Sequence, residues 1–228
     1  MFDFSALRGQ LIVSCQASSE EPLFGSSIMA AMARAAAMGG AAGIRAEGPE
    51  DIRAIRAAVD LPVLGLYKIK KPGEAVYITP TFESARQVAE AGADAIALDA
   101  TTEVRPDGLT LEETIRRIHE ELKLPVFTDV STFEEGVRAE ALGTDAVGTT
   151  LSGYTPQSPK SDRPDWTLLR ELVERLKVPV IMEGRIWEPQ EARQALQLGA
   201  WAVVVGSAIS RPQLITARFV QDLKEVAP

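Results

Sequence analysis

Two short motifs alternate along this chain of 228 residues, and they constrain its fold more than any other feature. The first is a helical stretch that ends in glycine, followed by a small residue and an apolar run. Glycine tolerates the left-handed conformation that ends many helices, and the apolar run after it is typical of a buried strand. The motif occurs four times, around Gly40, Gly92, Gly143 and Gly199.

The second motif is an apolar residue followed by Pro-Val, and it occurs at Pro62, Pro125 and Pro179. A proline ends the preceding helix and fits the first residue of a strand, where its missing N–H costs least. Together the two motifs predict eight strands, near Leu11–Cys15, Ala41–Arg45, Pro62–Lys68, Ala95–Asp99, Pro125–Asp129, Ala146–Thr150, Pro179–Glu183 and Ala202–Gly206.

Amphipathic helical stretches separate these strands. Ile52, Ile55 and Val59 share one helix face, for example, with charged residues off it. Eight regular β/α units of roughly 30 residues, with each motif recurring about every two units, predict a closed barrel. We therefore predict one (β/α)8 TIM-barrel domain over residues 1–228. An open doubly wound sheet is the alternative, and the lack of a dinucleotide-binding motif disfavours it.

Composition limits the partners and the compartment. The formal net charge is -8, and no basic stripe is present, which argues against a nucleic-acid partner. Cys15 is the only cysteine, so an internal disulfide is impossible and a reducing compartment is expected. The apolar stretch Leu11–Val13 is too short for a signal peptide or a membrane span. We expect a cytoplasmic protein without a membrane partner.

The scarcity of histidine and cysteine also limits the chemistry. With one residue of each, a His/Cys zinc site has too few ligands, so no metal is expected. A Ser-His-Asp triad would have to use His119. That residue lies in the charged helical stretch Glu112–Leu122, where a solvated helix position is the simpler interpretation.

Polar residues close most of the predicted strands. In a TIM barrel the active site lies at the C-terminal ends of the strands, so these residues should share one mouth. A buried barrel has no structural reason to gather Lys, Glu, Asp and Arg there. The residues concerned are Gln16, Arg45, Lys68, Asp99, Asp129, Thr149, Thr150, Glu183 and Gly206.

Three of these positions are candidates for chemistry. Lys68 could act as a base or a Schiff-base nucleophile if its pKa is lowered, or it could be a surface lysine. Glu183 closes a buried strand, where a carboxylate is costly unless it is working or paired, for instance with Arg185. The segment from Gly206 through Arg211 follows the last strand and could hold a phosphate through its amides. It could equally be an ordinary turn before a helix that begins near Pro212.

Seven longer runs resemble the N-acetylmannosamine-6-phosphate 2-epimerase family. They occur in the same order as in the family, and the likeness runs from about Leu11 to Phe219, nearly the whole chain. The runs are Leu11–Ala17, Gly43–Ala46, Val76–Thr81, Ala97–Thr101, Val147–Thr155, Glu183–Ile186 and Val205–Pro212.

This resemblance implies interconversion of N-acetylmannosamine 6-phosphate and N-acetylglucosamine 6-phosphate, a step in sialic-acid breakdown, without a metal or organic cofactor. It places Lys68 and Glu183 as catalytic residues. It also implies that substrate is bound by Gln16, Arg45, Asp129, Gly184, Arg185, Gly206, Ser207 and Arg211.

The chain departs from the family pattern at three places. Ser207 stands where the family usually has glycine, Ile69-Lys70-Lys71 follows the lysine, and Thr102–Arg105 is less basic than usual. These differences bear on specificity more than on reaction type.

Other functions fit the same residues. The alternatives are a Schiff-base lyase of the aldolase type, an epimerase of another phosphosugar, and a barrel that binds a sugar phosphate without turnover. A homodimer is expected by analogy with barrels that pair through outer helices.

Overall fold

The structure, a computed structural model, describes residues 2–225. Eight parallel strands close into a barrel in chain order, with β1 pairing to both β2 and β8. The predicted TIM barrel is therefore confirmed. The strands are β1 (Leu11–Cys15), β2 (Gly43–Glu47), β3 (Val63–Leu66), β4 (Ala95–Asp99), β5 (Val126–Asp129), β6 (Ala146–Gly148), β7 (Val180–Glu183) and β8 (Ala202–Val205).

Helices follow every strand. Several begin at a Thr whose side chain accepts the N–H of the third helical residue, so the sequence itself marks where they begin. The helices are α1 (Ser26–Met38), α2 (Pro49–Arg56), α3 (Phe82–Glu90), α4 (Leu111–Arg117), α5 (Phe133–Ala141), α6 (Trp166–Arg175), α7 (Pro189–Gln197), α8 (Ser207–Ser210) and α9 (Pro212–Glu225).

Main-chain hydrogen bonds at the lower end of the barrel, where the strands begin, repeat with fourfold regularity. In the first set of bonds, the residue just before each even-numbered strand donates its N–H to the carbonyl oxygen of the first residue of the preceding odd-numbered strand. In the second set, one residue of each even-numbered strand donates its N–H to the carbonyl oxygen of the residue just before the next odd-numbered strand around the barrel. The first set joins Ala42 to Leu11, Asp94 to Val63, Asp145 to Val126 and Trp201 to Val180 at 2.7–3.0 Å, and the second joins Ile44 to Pro62, Ile96 to Pro125, Val147 to Pro179 and Val203 to Gln10 at 2.9–3.1 Å.

This pattern gives the two motifs a physical meaning. The motif prolines lie just before β3, β5 and β7, where only their carbonyl oxygens are needed. In two of the glycine motifs the aspartate also accepts an N–H through its side chain: Asp94 Oδ2 from Val63 at 2.8 Å, and Asp145 Oδ2 from Val126 at 2.7 Å. These bonds fix where the strands start.

Two apolar layers stabilise the barrel. The inner layer fills the space enclosed by the strands, with Phe127 as its largest residue and Phe4 and Leu7 closing the lower end. The outer layer packs the other face of the strands against the helices. Alternate residues of each strand point to opposite faces, so a run of buried apolar residues supplies both layers.

Several element boundaries differ from the prediction by one or two residues, and three differences matter for the site. β3 ends at Leu66 rather than Lys68, because the chain leaves the barrel at Tyr67 and returns at Thr79. β2 continues to Glu47, so Arg45 lies within the strand and not at its end. The helix expected near Pro212 is preceded by the short helix α8.

Helix α9 differs from the other long helices because none of its residues is buried. Phe219 and Leu223 are 69% and 65% exposed on it. Among residues 2–225, no helix has both the length and the apolar character that a membrane crossing requires.

Candidate active site

A polar cleft with a volume of about 540 Å³ opens at the C-terminal end of the barrel. It gathers most of the residues that the sequence places in the site. Those that line it are Gln16, Arg45, Lys68, Glu183, Gly184, Arg185, Gly206, Ser207 and Arg211. Of the residues that the family resemblance places in the site, Asp129 alone lies beneath the surface of the cleft, where it is 0% exposed.

Lys68 stands just outside β3, in a short antiparallel bridge with Ile78. Its backbone N–H donates to the Glu47 carboxylate at 3.1 Å, and its Nζ donates to Gln16 Oε1 at 2.7 Å. Gln16 in turn donates to Ser14 Oγ at 2.9 Å, which orients the amide with its oxygen toward the lysine. The amine is therefore held by a neutral acceptor instead of a direct ion pair.

The environment of Lys68 lowers its pKa. Burial is the main cause, and the positive charge of Arg45 adds to it, followed by that of Arg211. The carboxylates of Glu47 and Glu183 act in the opposite direction without cancelling the effect. A lysine with a lowered pKa has a larger neutral fraction near pH 7 and can accept a proton.

Arg45 is the centre of a buried charge network. Its Nη2 lies 2.5 Å from Asp129 Oδ2, its Nη1 lies 2.9 Å from Asp129 Oδ1, and Nη1 also donates to Glu183 Oε2. The guanidinium is 1% exposed and rests against the ring of Phe127. Burial acts to lower the pKa of Arg45, but the carboxylates of Asp129 and Glu183 outweigh it and raise that pKa, so the arginine stays charged.

Glu183 ends β7, and its carboxylate is reached by Arg45 from β2 across the barrel and by Thr150 from the loop after β6. Its Oε2 accepts hydrogen bonds from Arg45 Nη1 and from Thr150 Oγ1, the latter at 3.1 Å. Burial raises the pKa of Glu183 despite the opposing charge of Arg45. Its suggested ion pair with Arg185 is wrong, because Arg185 donates to the carbonyl of Ser152 at 2.7 Å.

Arg185 itself is held by the loop after β6. Its guanidinium stacks over the ring of Tyr154 at 4.5 Å, and its backbone has φ of 57°. A side chain on Gly153 would meet this guanidinium, since a Cβ there would lie 2.3 Å from Nη2. Gly153 therefore leaves room for the arginine at the rim of the cleft.

The loop after β8 forms another wall of the cleft. Gly206 packs against Ser14, and α8 begins at Ser207, which also lines the cleft. Arg211 borders the cleft but also pairs with Glu21 at 2.9 Å. A helix start and an arginine side by side at this wall suit an anionic group.

Sequence reasoning missed several residues of the cleft. The Lys70 amine lies over the ring of Tyr77, 5.2 Å from its centroid, and both residues line the cleft together with Trp187. Loop residues of this kind carry no periodic signal that would mark them. Conversely, Asp99 was expected at the mouth but accepts from Thr101 in its own loop, and burial raises its pKa to about 6.

His119 lies at the opposite end of the barrel, where its Nε2 is 2.7 Å from Asp145 Oδ2. Its side chain is 34% exposed on a helical turn, in keeping with the helix position that the sequence predicts, and it cannot reach the cleft. Within residues 2–225, no group of three or more His, Cys, Asp and Glu side chains could hold a metal ion.

Comparisons with known proteins agree with one another. A model of the NanE family, described as "Putative N-acetylmannosamine-6-phosphate epimerase", matches residues 29–225. Two curated relatives carry the name "Putative N-acetylmannosamine-6-phosphate 2-epimerase". The one from Caldanaerobacter subterraneus subsp. tengcongensis is 54% identical over 220 residues, covering 96% of this chain and 93% of the relative. The one from Thermosynechococcus vestitus is 49% identical over 218 residues, covering 96% and 95%.

Solved structures extend the likeness to three dimensions. The N-acetylmannosamine-6-phosphate 2-epimerase from Clostridium perfringens is 48% identical and superposes with a TM-score of 0.93, covering 96% of this chain and 95% of that one. A thiamine phosphate pyrophosphorylase from Pyrococcus furiosus, 21% identical with a TM-score of 0.62 over 91% of this chain and 89% of that one, shares the fold alone. With a family model along most of its length and relatives about half identical over nearly all of it, the chain belongs to the NanE family of N-acetylmannosamine-6-phosphate epimerases.

Proposed function

We propose that this protein epimerises C2 of an N-acetylhexosamine 6-phosphate, converting N-acetylmannosamine 6-phosphate to N-acetylglucosamine 6-phosphate in amino-sugar and sialic-acid catabolism. One observation carries the proposal beyond family membership. A lysine with a lowered pKa and a glutamate with a raised pKa face the same cleft, with a buried arginine between them. Proton carriers adjusted toward neutral pH are what an epimerisation requires.

The chemistry begins with the sugar ring. In the open-chain form the C2–H lies next to an aldehyde, so its removal gives an enolate. Glu183 assists the opening by carrying the proton of the anomeric oxygen, since its Oε1 is left for the substrate by the bonds to Oε2. The raised pKa of Glu183 makes this exchange feasible near pH 7.

Lys68 then removes the C2 proton, and the enolate charge collects on the aldehyde oxygen. Arg45 is the fixed cation of the cleft and stabilises that charge without having to reorganise. Protonated Glu183 then donates a proton to the opposite face of C2, which gives the epimer, and exchange with water returns Lys68 and Glu183 to their starting protonation states. Asp129 does not contact substrate in this scheme and acts by holding Arg45 through two hydrogen bonds.

The phosphate binds far from the reacting carbon. The amides at the start of α8, with Arg211 and Arg185 on either side, form the most suitable wall, and Gly184 and Gly206 let the main chain approach. Binding there orients the sugar so that C2 faces Lys68. The scheme uses neither a metal nor an organic cofactor.

The test is a proton NMR time course in D₂O with N-acetylmannosamine 6-phosphate and excess EDTA. We expect N-acetylglucosamine 6-phosphate that carries deuterium at C2. Lys68→Met should slow turnover by about 10²–10⁴-fold, the range typical of a positioned general base. Lys71→Met is the matched control, because Lys71 is an exposed lysine that pairs with Glu74 outside the cleft.

Other outcomes separate the alternatives. A Schiff-base lyase would be trapped covalently on Lys68 by borohydride with substrate present, whereas the epimerase forms no adduct. Binding without product or C2 exchange would leave a non-catalytic sugar-phosphate barrel. Full activity of Lys68→Met would refute the role of the lysine.

We further propose a cytoplasmic homodimer in which α9 packs against a second copy. A helix of 14 residues with no buried side chain and exposed Phe219 and Leu223 leaves apolar surface that a monomer does not cover. Light scattering after gel filtration should give twice the chain mass of 24.6 kDa. Phe219→Glu/Leu223→Glu should give the monomer mass, and a monomeric wild type would refute the dimer.

A further inference from the structure

The position of Lys68 depends on a segment outside the barrel. After β3 the chain runs from Tyr67 outward and returns at Thr79, and the two arms form a short antiparallel ladder. Lys68 pairs with Ile78, and Ile69 donates its N–H to Tyr77 at 3.0 Å. The place of the amine is therefore set by where the returning arm is anchored.

That anchor is Thr79, which has a strained backbone. Its φ is 46°, in the left-handed region that β-branched residues rarely adopt. Such a conformation is strained and persists only where the surroundings impose it. Here Thr79 donates its N–H to the Tyr67 carbonyl at 2.8 Å and its Oγ1 hydrogen to the Ala97 carbonyl at 2.6 Å.

Arg105 completes the anchor from the loop after β4. Its Nη2 donates to the carbonyl of Thr79 at 2.5 Å, and its Nη1 donates to the carbonyl of Asp99 at 2.8 Å. The guanidinium is 5% exposed. It thus joins the strained residue to the end of β4 through main-chain oxygens.

The same loop is fixed to the protein a second time. Asp107 accepts the N–H of Phe82, the first residue of α3, at 2.8 Å. The loop therefore grips the returning arm on both sides of Pro80. This arrangement leaves Thr79 little freedom to relax, as long as Arg105 is present.

We propose that Arg105 is a positioning residue for the Lys68 amine, acting through Thr79 and the ladder. The proposal rests on the proposed function, because it assigns Arg105 a task in that proton transfer. Without Arg105, Thr79 relaxes toward an ordinary conformation, the ladder shifts, and Lys68 moves relative to Gln16 and the substrate. Substrate binding, which uses other walls of the cleft, changes little.

The test compares Arg105→Ala with a matched arginine at the other end of the barrel. Arg56 also donates to two main-chain carbonyls, those of Gly92 at 3.0 Å and Leu61 at 3.1 Å, but it is remote from the cleft. We expect Arg105→Ala to lower kcat by about 10²-fold, the scale of a displacement of about 1 Å, with KM within threefold. Arg56→Ala should keep its kcat at a temperature where both variants are folded.

Two further readouts separate positioning from folding. Lys68 faces Arg45 and Glu47 from β2, Glu183 from β7 and Arg211 from the loop after α8. A shifted, better-solvated lysine should move the rising limb of the pH–kcat profile to higher pH in Arg105→Ala. Methylguanidinium, which fits the space left by the side chain, should restore both kcat and the limb.

The outcomes are distinct. If the wild type shows no C2 exchange, the proposed function fails first. If the wild type is active while Arg105→Ala keeps its kcat and pH limb, or Arg56→Ala loses as much, the positioning role is refuted. Should Arg105→Ala not fold, Arg105→Gln is the test, because its shorter side chain with one amide nitrogen does not bond both carbonyls, and a smaller loss of kcat with a shifted limb is expected from it.

Discussion

Replacement of Arg45 by methionine tests the buried charge network most directly. Arg45 and Asp129 are 1% and 0% exposed, so removal of the guanidinium leaves a carboxylate with neither water nor a cation. Breaking a buried pair from one side costs about 3–5 kcal/mol. At roughly 2–4 °C per kcal/mol for a chain of this size, Tm should fall by roughly 6–20 °C.

The pH dependence of this loss has a definite sign. Burial already raises the pKa of Glu183 in the folded state, and loss of Arg45 removes the positive charge that opposes this effect. The folded variant then binds more protons than the unfolded chain, so its stability falls as pH rises. We expect the difference from wild type to be small near pH 4 and largest at pH 8, measured by urea unfolding followed by circular dichroism.

The double variant Arg45→Met/Asp129→Asn supplies the control. It removes both charges and should recover at least half of the lost stability, as expected for two residues that interact directly. Additive losses in the double variant, or a single variant within 1 kcal/mol of wild type at pH 8, where roughly 3–5 kcal/mol is expected, would refute the network as described.

Three further predictions concern other positions. Burial raises the pKa of Asp99 to about 6, so its contribution to stability is present in full below the unfolded value and is lost as pH rises through 6. Asp99→Asn should remove that slope from the free energy of unfolding, and an unchanged slope would contradict it. Gly148→Ala would place a Cβ 2.2 Å from Phe127 Cζ and should lower stability by about 1–3 kcal/mol in urea unfolding. Gly153→Ala should displace Arg185 and raise KM for the phosphosugar more than it lowers kcat, whereas an unchanged KM would exclude Arg185 from binding.

Much of the fold could be predicted because proline and glycine mark its boundaries. Each motif proline lies where a strand needs an acceptor and no donor, so the eight strands appear in the right order. Strand ends were less certain. The sequence pattern of a strand can continue past the last paired residue. In β3 the pairing ends at Leu66, although apolar and polar residues still alternate beyond it.

The site was only partly predictable, for a different physical reason. Polar residues at strand ends could be found one by one, which placed Lys68 and Glu183 at the mouth. Their partners could not be found in this way, because Arg45 meets Glu183 across 138 residues of sequence. Arg105 gave no signal either, since it acts on main-chain oxygens that every residue possesses.

The fourfold pattern of main-chain bonds has a consequence for how the barrel could be cut and rejoined. The bond from Val203 to Gln10 that closes the circle is equivalent to those from Ile96 to Pro125 and from Val147 to Pro179. The four places where one pair of strands meets the next therefore have equivalent main-chain hydrogen bonds. A circular permutant could be opened just before Pro125, with residues 225 and 2 joined by a flexible linker. Each strand would keep both of its neighbours. The cleft at the other end of the strands would be assembled from the same loops.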